Sequence, residues 1–230
     1  MVREGFQSTS RAHSGKRCHP RKHQSMTRKP YLTLPARIGT MGHCPSPMSE
    51  TYVSFDVETS GPVPGVHALL AVGACVVGAP DRTFYAELAP PPGARSVPAA
   101  LRVHGLDPAA LMATGSDPVL VGRDLAAWAS AQSSTNRPVF VAFNAPFDWP
   151  FVVRLFYDAG VENPFGHSAL DVKAFYMGLH GTTWSETRSS KLPNDYAVRP
   201  GRPHHALSDA VAQAASFARM LTRARSRPVH

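Results

Sequence analysis

The sequence predicts an α/β domain built on a central, mixed five-stranded sheet flanked by helices. Strand-like segments follow one another early in the domain, and later segments alternate apolar strands with amphipathic helices. The chain has 230 residues, of which 43% are hydrophobic, and this is enough to bury one full core. We place the domain at residues 50–224, between an N-terminal extension at 1–49 and a short tail at 225–230.

The N-terminal extension is basic and has no strand or helix periodicity, so we expect it to be disordered. Residues 1–50 hold nine Lys or Arg against two Glu, which accounts for nearly all of the formal net charge of +8. The rest of the chain is almost neutral and does not predict a broad basic face for nucleic acid. A mitochondrial-type presequence is one alternative for this segment. We favour a second, in which translation starts at Met41 or Met48, because Met48 runs directly into the first strand.

Simple counts exclude several classes of protein. The sequence contains no stretch of about 18 apolar residues, so it predicts no transmembrane helix. The N-terminus also lacks the apolar region of a secretory signal. The three cysteines form no CxxC pair and fit a reducing compartment. We therefore expect a cytoplasmic protein with no membrane partner.

The first three strands are predicted to form a meander. Residues 51–57 alternate and are rich in β-branched and aromatic side chains, which is typical of a strand. Residues 69–77 and 82–88 have the same character, and the turn-forming residues 78–81 join them into a hairpin.

The second half alternates helices and strands. We expect helices at 99–103, 118–131, 148–159, 172–177 and 206–221, and strands at 138–143 and 168–170. Asp117 and Asp171 are predicted N-caps. Pro150 is expected in the first turn of its helix, where the missing N–H costs nothing. The polar, Pro-containing residues 181–203 predict a loop.

Four carboxylates are the candidate functional residues. Asp56 and Glu58 end the first strand, and a period of two places them on one face. Asp148 follows the buried strand, either as a helix N-cap or as a site residue, and reaches the same sheet edge if the two strands are parallel neighbours. Asp209 lies in the last helix beside its apolar stripe.

This oxygen-only set predicts a site for hard cations such as Mg²⁺ or Mn²⁺. Two ions about 4 Å apart, held by three or four carboxylates, form a clamp for phosphodiester hydrolysis. One would help to ionise the attacking water and the other would stabilise the leaving 3′ oxygen. A general base near that water is still required.

Two adjacent histidines are candidates for this base. On a helix, His205 would lie about 40° from Asp209 and His204 about 140° away, which favours His205. Pro203 precedes them, however, and places His204 in the loop that leads into the helix, where it could reach the cations. Periodicity leaves both open.

Three segments resemble the exonuclease motifs of the DEDDh 3′–5′ exonucleases, the proofreading-exonuclease and RNase T type. They are DVETSG at 56–61, FNAPFD at 143–148 and HHALSDA at 204–210, in the family's order and spacing. The resemblance covers about residues 51–222 and implies an RNase H-like fold. Phe143 departs from the pattern, since relatives often have His there.

The resemblance also implies roles for the candidate residues. It implies that Asp56, Glu58, Asp148 and Asp209 hold two Mg²⁺ or Mn²⁺ ions, with Asp56 bridging both. It implies that His204, five residues before Asp209, acts as the general base on the attacking water, with His205 as the alternative.

Further positions match family residues near the scissile nucleotide. The segment VHGL at 103–106 resembles one that lines the substrate site. The substrate-binding candidates are Thr59, Ser60, His104, Leu106, Asn144 and Phe147.

We therefore expect a metal-dependent exonuclease that releases nucleoside 5′-monophosphates from the 3′ end of single-stranded DNA or RNA. The alternative is a non-catalytic or partner-dependent nucleic-acid-binding module with the same fold. The sequence does not choose between DNA and RNA, although few basic residues favour short strands or ends. Many relatives dimerise, so a homodimer is one option, but the sequence shows no interface and leaves the oligomeric state open.

Overall fold

A computed structural model describes residues 50–133 and 136–226, and these form one mixed five-stranded sheet with helices on both faces. The strands are β1 (Tyr52–Thr59), β2 (Leu69–Val76), β3 (Ala79–Glu87), β4 (Val139–Ala142) and β5 (Ala169–Asp171). The helices are α1 (Pro98–His104), α2 (Pro108–Thr114), α3 (Pro118–Ala131), α4 (Ala145–Asp158), α5 (Val172–His180) and α6 (Ala206–Arg225). The predicted α/β class and five-stranded mixed sheet are confirmed. The extension at 1–49, predicted to be disordered, lies outside the described residues.

The sheet has the order β3-β2-β1-β4-β5. Strands β1, β2 and β3 form the predicted antiparallel meander, while β4 pairs parallel with β1 and β5 pairs parallel with β4. Because β1, β4 and β5 run the same way, their carboxyl ends meet at one edge of the sheet. This edge carries the end of β1 and the start of α4.

The two faces of β1 have different neighbours. Val53, Phe55 and Val57 belong to an apolar cluster that includes side chains of α3 and α4, with Phe55 stacked on Phe140 of β4 at 4.3 Å between ring centroids. Asp56 alternates with them and reaches α6 on the opposite face, where α5 and α6 share a second apolar cluster. The period of two therefore separates the core residues of β1 from its acidic residues.

Helix α4 begins earlier than predicted. It starts at Ala145, directly after Asn144, whose φ of 81° turns the chain sharply from β4 into the helix. Pro150 is consequently the sixth helical residue, and the prediction that it lies in the first turn was wrong. Burial of apolar side chains such as Phe151 and Leu155 offsets the backbone hydrogen bond that Pro150 cannot donate.

Other differences are small. Helix α2 was not predicted, although Asp107 caps it through Ala109 N–H and Pro108 begins it. Strand β3 starts inside the predicted turn, and two short 3₁₀ helices at Trp184–Thr187 and Ser189–Lys191 interrupt the predicted loop. In the part of the chain that the structure describes, no helix combines the length and apolar character needed to cross a membrane.

Candidate active site

Three carboxylates converge where β1 ends. Asp56 and Glu58 project from the same side of the strand, and Glu58 is only 8% exposed. Helix α6 packs across β1 and β2 and brings Asp209 to the pair. One carboxylate oxygen from each of Asp56, Glu58 and Asp209 lies within 4.8 Å of the others. The sequence motifs at the two ends of the domain thus meet at one point.

Asp148 is the fourth carboxylate of this group. It lies in the first turn of α4, is 5% exposed, and its Oδ1 accepts a hydrogen bond of 3.2 Å from Val57 N–H on β1. The alternative in which Asp148 is the helix N-cap was wrong, because Asn144 occupies that position. Its charge interacts with those of Asp56 and Glu58, so Asp148 adjoins the two carboxylates of β1.

The shared environment raises the pKa of every one of these acids. Burial raises the pKa of Glu58 to about 7, with a further contribution from Asp209. Burial raises that of Asp148 to about 8, against the opposing effect of the Val57 N–H hydrogen bond. The pKa of Asp56 lies well above its usual range, first through burial and then through repulsion from Asp148 and the other two acids. Burial also raises the pKa of Asp209, although His205 and His204 oppose this.

Such a group suits divalent cations. Four carboxylates this close repel one another when ionised, and a bound cation removes the repulsion. The converging ligand atoms are all oxygens, which is the preference of Mg²⁺ and Mn²⁺ and not of Zn²⁺ thiolate sites. The residues present therefore fit the predicted metal site.

The two adjacent histidines have different surroundings. His205 is the N-cap of α6: its ring stacks on Tyr85 with centroids 4.6 Å apart, and its backbone N–H donates to Asp209 Oδ2 at 3.1 Å. His204 is exposed in the turn before the helix, as predicted, with a φ of 57°. Its ring lies close enough to Asp209 and His104 to affect the pKa of both. Packing thus engages the His205 ring and leaves the His204 ring accessible.

His104 connects the end of α1 to the end of β1. Its Nδ1 accepts from Leu106 N–H at 3.0 Å, and its Nε2 lies 3.2 Å from the Thr59 carbonyl oxygen. A backbone N–H can donate only to an unprotonated ring nitrogen, so the proton is on Nε2, which donates to Thr59. Burial lowers the pKa of His104, with a smaller lowering from His204. The half-buried ring is therefore neutral and has a fixed orientation.

Ser60 does not suit the substrate contact predicted for it. It is 1% exposed, its hydroxyl donates to the Arg95 carbonyl at 2.7 Å, and the same hydroxyl accepts from Ala68 N–H at 2.8 Å. Ser60 therefore shapes the loop after β1, a role that sequence alone could not separate from ligand binding. Thr59 is also buried, and its hydroxyl donates to the Gly61 carbonyl.

The other predicted substrate residues surround the carboxylates more openly. Leu106, Asn144 and Phe147 are half-buried. Asn144 holds a left-handed backbone conformation, and its side chain makes no hydrogen bond to the chain among the described residues. The Phe147 ring lies 5.7 Å from that of Phe151, one turn further along α4.

Sequence reasoning missed the polar contacts through which two residues, Gln213 and Asp171, hold this edge together. Gln213 of α6 donates from Nε2 to Asp56 Oδ1 at 2.7 Å and accepts from Phe143 N–H at 2.8 Å. The available signal was its spacing, one turn after Asp209 within an otherwise apolar stripe. Asp171 is the predicted N-cap of α5, and it also accepts from Ala145 N–H at 2.7 Å, so it links the starts of α4 and α5.

A curated relative and many solved structures resemble this chain. The 3′-5′ DNA exonuclease Cap18 from Escherichia coli is 40% identical over 169 residues, which are 73% of this chain and 90% of Cap18. No family model matches the sequence.

The similar solved structures share the fold at low sequence identity. The nuclease domain of 3′hExo, a DEDDh family member bound to rAMP, has a TM-score of 0.59 at 14% identity, over 75% of this chain and 90% of that domain. Escherichia coli Exonuclease I in complex with a dA16 oligonucleotide has a TM-score of 0.61 at 16% identity, over 76% of this chain and 41% of Exonuclease I.

Proposed function

The chain belongs to the DEDDh family of 3′–5′ exonucleases, and we propose that it degrades single-stranded DNA from the 3′ end with two divalent cations. The observation that carries this proposal is the convergence of Asp56, Glu58 and Asp209 within 4.8 Å, beside the buried Asp148. Family membership and the full set of four carboxylates favour the enzyme over a non-catalytic binding module.

Asp56, Glu58, Asp148 and Asp209 would hold the cations, which we take to be Mg²⁺ or Mn²⁺. When bound, the cations supply positive charge that offsets the charge developing on the phosphodiester. Asp56 and Glu58 on β1 and Asp209 on α6 each bring one carboxylate oxygen to within 4.8 Å of the others, which would let a cation contact all three.

His204 is the proposed general base. Its exposure and its position beside Asp209 would allow its imidazole to take a proton from the water that attacks the phosphorus. His205 is less suited, because its ring is stacked on Tyr85 and caps α6. Cleavage of the terminal bond releases a nucleoside 5′-monophosphate and leaves a new 3′ hydroxyl on the strand.

The terminal nucleotide would lie among His104, Leu106, Asn144 and Phe147. Leu106 and Phe147 offer apolar surface to a base or sugar, and the Asn144 amide offers both a donor and an acceptor. Thr59 stays a predicted contact through its position next to Glu58. The neutral His104 ring would shape the pocket through its bond to Thr59.

The relative's name is the basis for proposing DNA, since Cap18 is a 3′-5′ DNA exonuclease. RNA is the alternative that the experiment must separate. The homodimer and the cytoplasmic location also stay predictions. Sedimentation velocity of the full chain tests the first, and cell fractionation tests the second.

The test offers 5′-labelled single-stranded DNA and RNA of one sequence to the full chain and to Asp56→Asn. Reactions contain Mg²⁺, Mn²⁺ or EDTA, and products are separated on a denaturing gel. We expect a ladder that shortens from the 3′ end on DNA, requires the cation and is absent from the variant. A substrate blocked at its 3′ hydroxyl controls for endonuclease cleavage.

Three results would contradict parts of the proposal. Faster degradation of RNA than of DNA would overturn the substrate. Cleavage in EDTA would overturn the metal requirement. Full activity in folded Asp56→Asn, measured with the melting temperature of the same sample, would overturn the assigned site.

A further inference from the structure

Gln213 bridges two motifs of the site through a single side-chain amide. Its Oε1 accepts from Phe143 N–H at 2.8 Å, and its Nε2 donates to Asp56 Oδ1 at 2.7 Å. Phe143 follows β4 and begins the segment that leads to Asp148, whereas Asp56 lies on β1. One residue of α6 therefore contacts the carboxyl ends of two neighbouring strands.

The orientation of this amide is determined by its partners. A backbone N–H can only donate, so the amide oxygen must face Phe143 and the amide nitrogen must face the Asp56 carboxylate. Both distances lie within the range of good hydrogen bonds. The arrangement leaves no equivalent flipped conformer, because a flip would set two donors against each other and two acceptors against each other.

Asp56 needs such a partner because its neighbours are mostly acids. Asp148, Glu58 and Asp209 all repel its charge, while the Gln213 amide is an uncharged donor that attracts it. Without this donor, a side-chain rotation away from the other carboxylates would relieve the repulsion. The hydrogen bond occupies one lone pair of Oδ1, and the remaining lone pairs of both oxygens stay available to a cation.

We propose that Gln213 is a positioning residue that holds the Asp56 carboxylate in its metal-binding orientation and couples it to the segment carrying Asp148. The inference rests on the proposed metal site. Hydrogen-bond partners of metal-ligating carboxylates typically change metal affinity or activity by about 10–100-fold when they are removed. Gln213 lies four residues after Asp209 on α6, so the same helix supplies one carboxylate and orients another.

The test compares Gln213→Met and Gln213→Asn with the wild-type full chain. Methionine keeps the volume but can neither donate to Asp56 nor accept from Phe143, and asparagine keeps the amide but is too short to reach both. Arg223→Leu, at an exposed position near the end of the same helix, is the matched control. Mn²⁺ affinity is measured by calorimetry without substrate, and the Mn²⁺ concentration for half-maximal exonuclease rate is measured separately.

In Gln213→Met we expect Mn²⁺ affinity to fall about 10–100-fold and the Mn²⁺ concentration for half-maximal rate to rise by the same factor. Both changes should be smaller in Gln213→Asn. The exonuclease rate at saturating Mn²⁺ should fall far less than the affinity in either variant. Arg223→Leu should match wild type. A purely structural residue would lower the melting temperature and leave Mn²⁺ affinity unchanged, and that result would overturn the inference. If Gln213→Met does not fold, unchanged affinity in Gln213→Asn decides the question in the same way. A wild-type chain that binds no Mn²⁺ would instead contradict the metal site itself.

Discussion

Asp56 and Gly73 are paired across β1 and β2, and Gly73 lies against the backbone at the start of α6. A Cβ atom at Gly73 would lie 2.3 Å from the backbone of Ala206 and Leu207, at the start of α6. The absence of a side chain there lets the helix approach β2 and bring Asp209 to Asp56. A glycine inside a strand is a known sign of such backbone contact.

Gly73→Ala should therefore impair both folding and metal binding. The obstructing atoms are backbone, so α6 must shift, and we expect the free energy of unfolding to fall by about 2–3 kcal/mol. Displacement of Asp209 should weaken Mn²⁺ binding in the protein that remains folded. Chemical denaturation and Mn²⁺ calorimetry measure the two effects.

Gly178→Ala is the control for this glycine. It lies in α5, and among the described residues an added Cβ would have no atom within 4 Å apart from the adjoining backbone of its own helix, so alanine should stabilise the helix by about 0.5–1 kcal/mol. If Gly73→Ala and Gly178→Ala changed the free energy of unfolding equally, the close contact between Gly73 and α6 would not be the cause of the change.

Asp148→Asn should separate activity from stability. Asparagine keeps an oxygen that can accept from Val57 N–H but removes a buried charge, so we expect at least about a 100-fold loss of exonuclease rate. In EDTA at pH 8.5 its melting temperature should equal or exceed that of wild type, because the repulsion is relieved. Differential scanning calorimetry and the gel assay test the pair of outcomes.

Asp148→Ala provides the contrast. It leaves Val57 N–H without its acceptor, which costs about 1–3 kcal/mol, so this variant should melt below Asp148→Asn. Equal melting temperatures for Asp148→Asn and Asp148→Ala would show that the hydrogen bond from Val57 N–H to residue 148 does not stabilise the fold.

The raised carboxyl pKa values predict how stability depends on pH in EDTA. Glu58 and Asp148, with pKa values of about 7 and about 8, keep their protons in the folded protein at pH values where the unfolded chain has released them. The folded state therefore binds more protons than the unfolded chain. The stability that these two groups contribute is fully present below about pH 4 to 5, and it is lost as the pH rises through 7 to 8.

We expect the melting temperature in EDTA to fall by at least about 3 °C between pH 6 and pH 8.5 through these groups. Mn²⁺ competes with the protons, so the stabilisation it provides should grow over the same range. The raised pKa values of Glu58 and Asp148 would be contradicted if the melting temperature in EDTA rose with pH while the stabilisation by Mn²⁺ became smaller.

His204→Ala and His205→Ala form a matched pair. Loss of the general base should lower kcat by about 100- to 10,000-fold without changing the Mn²⁺ half-saturation. His205→Ala retains the backbone N–H that donates to Asp209, so its kcat should stay within about 10-fold of wild type while its melting temperature falls through loss of the helix cap. Steady-state assays on a 5′-labelled oligonucleotide measure both, and a larger kcat loss in His205→Ala would assign the base to His205.

Several features were predictable because they depend on local physics. Alternation along β1 placed Asp56 and Glu58 on one face, and the apolar run at β4 indicated a strand buried on both faces. Caps such as Asp117 and Asp171 followed from residue type together with the helical segment predicted after each of them. The start of α4 did not, because the positive φ of Asn144 and the packing that tolerates Pro150 depend on contacts with the rest of the domain.

The sequence by itself determined the α/β class and which carboxylates and histidines could form a site, because strand period, helix period and residue chemistry act over a few residues. Only the tertiary structure decided that the parallel pairing of β1 and β4 brings Asp148 beside Asp56, and that stacking on Tyr85 engages His205 and not His204. Gln213 and Gly73 belong to the same class of result. Their roles arise from contacts between residues far apart in the chain, and no local pattern specifies which partner a side chain will meet after folding.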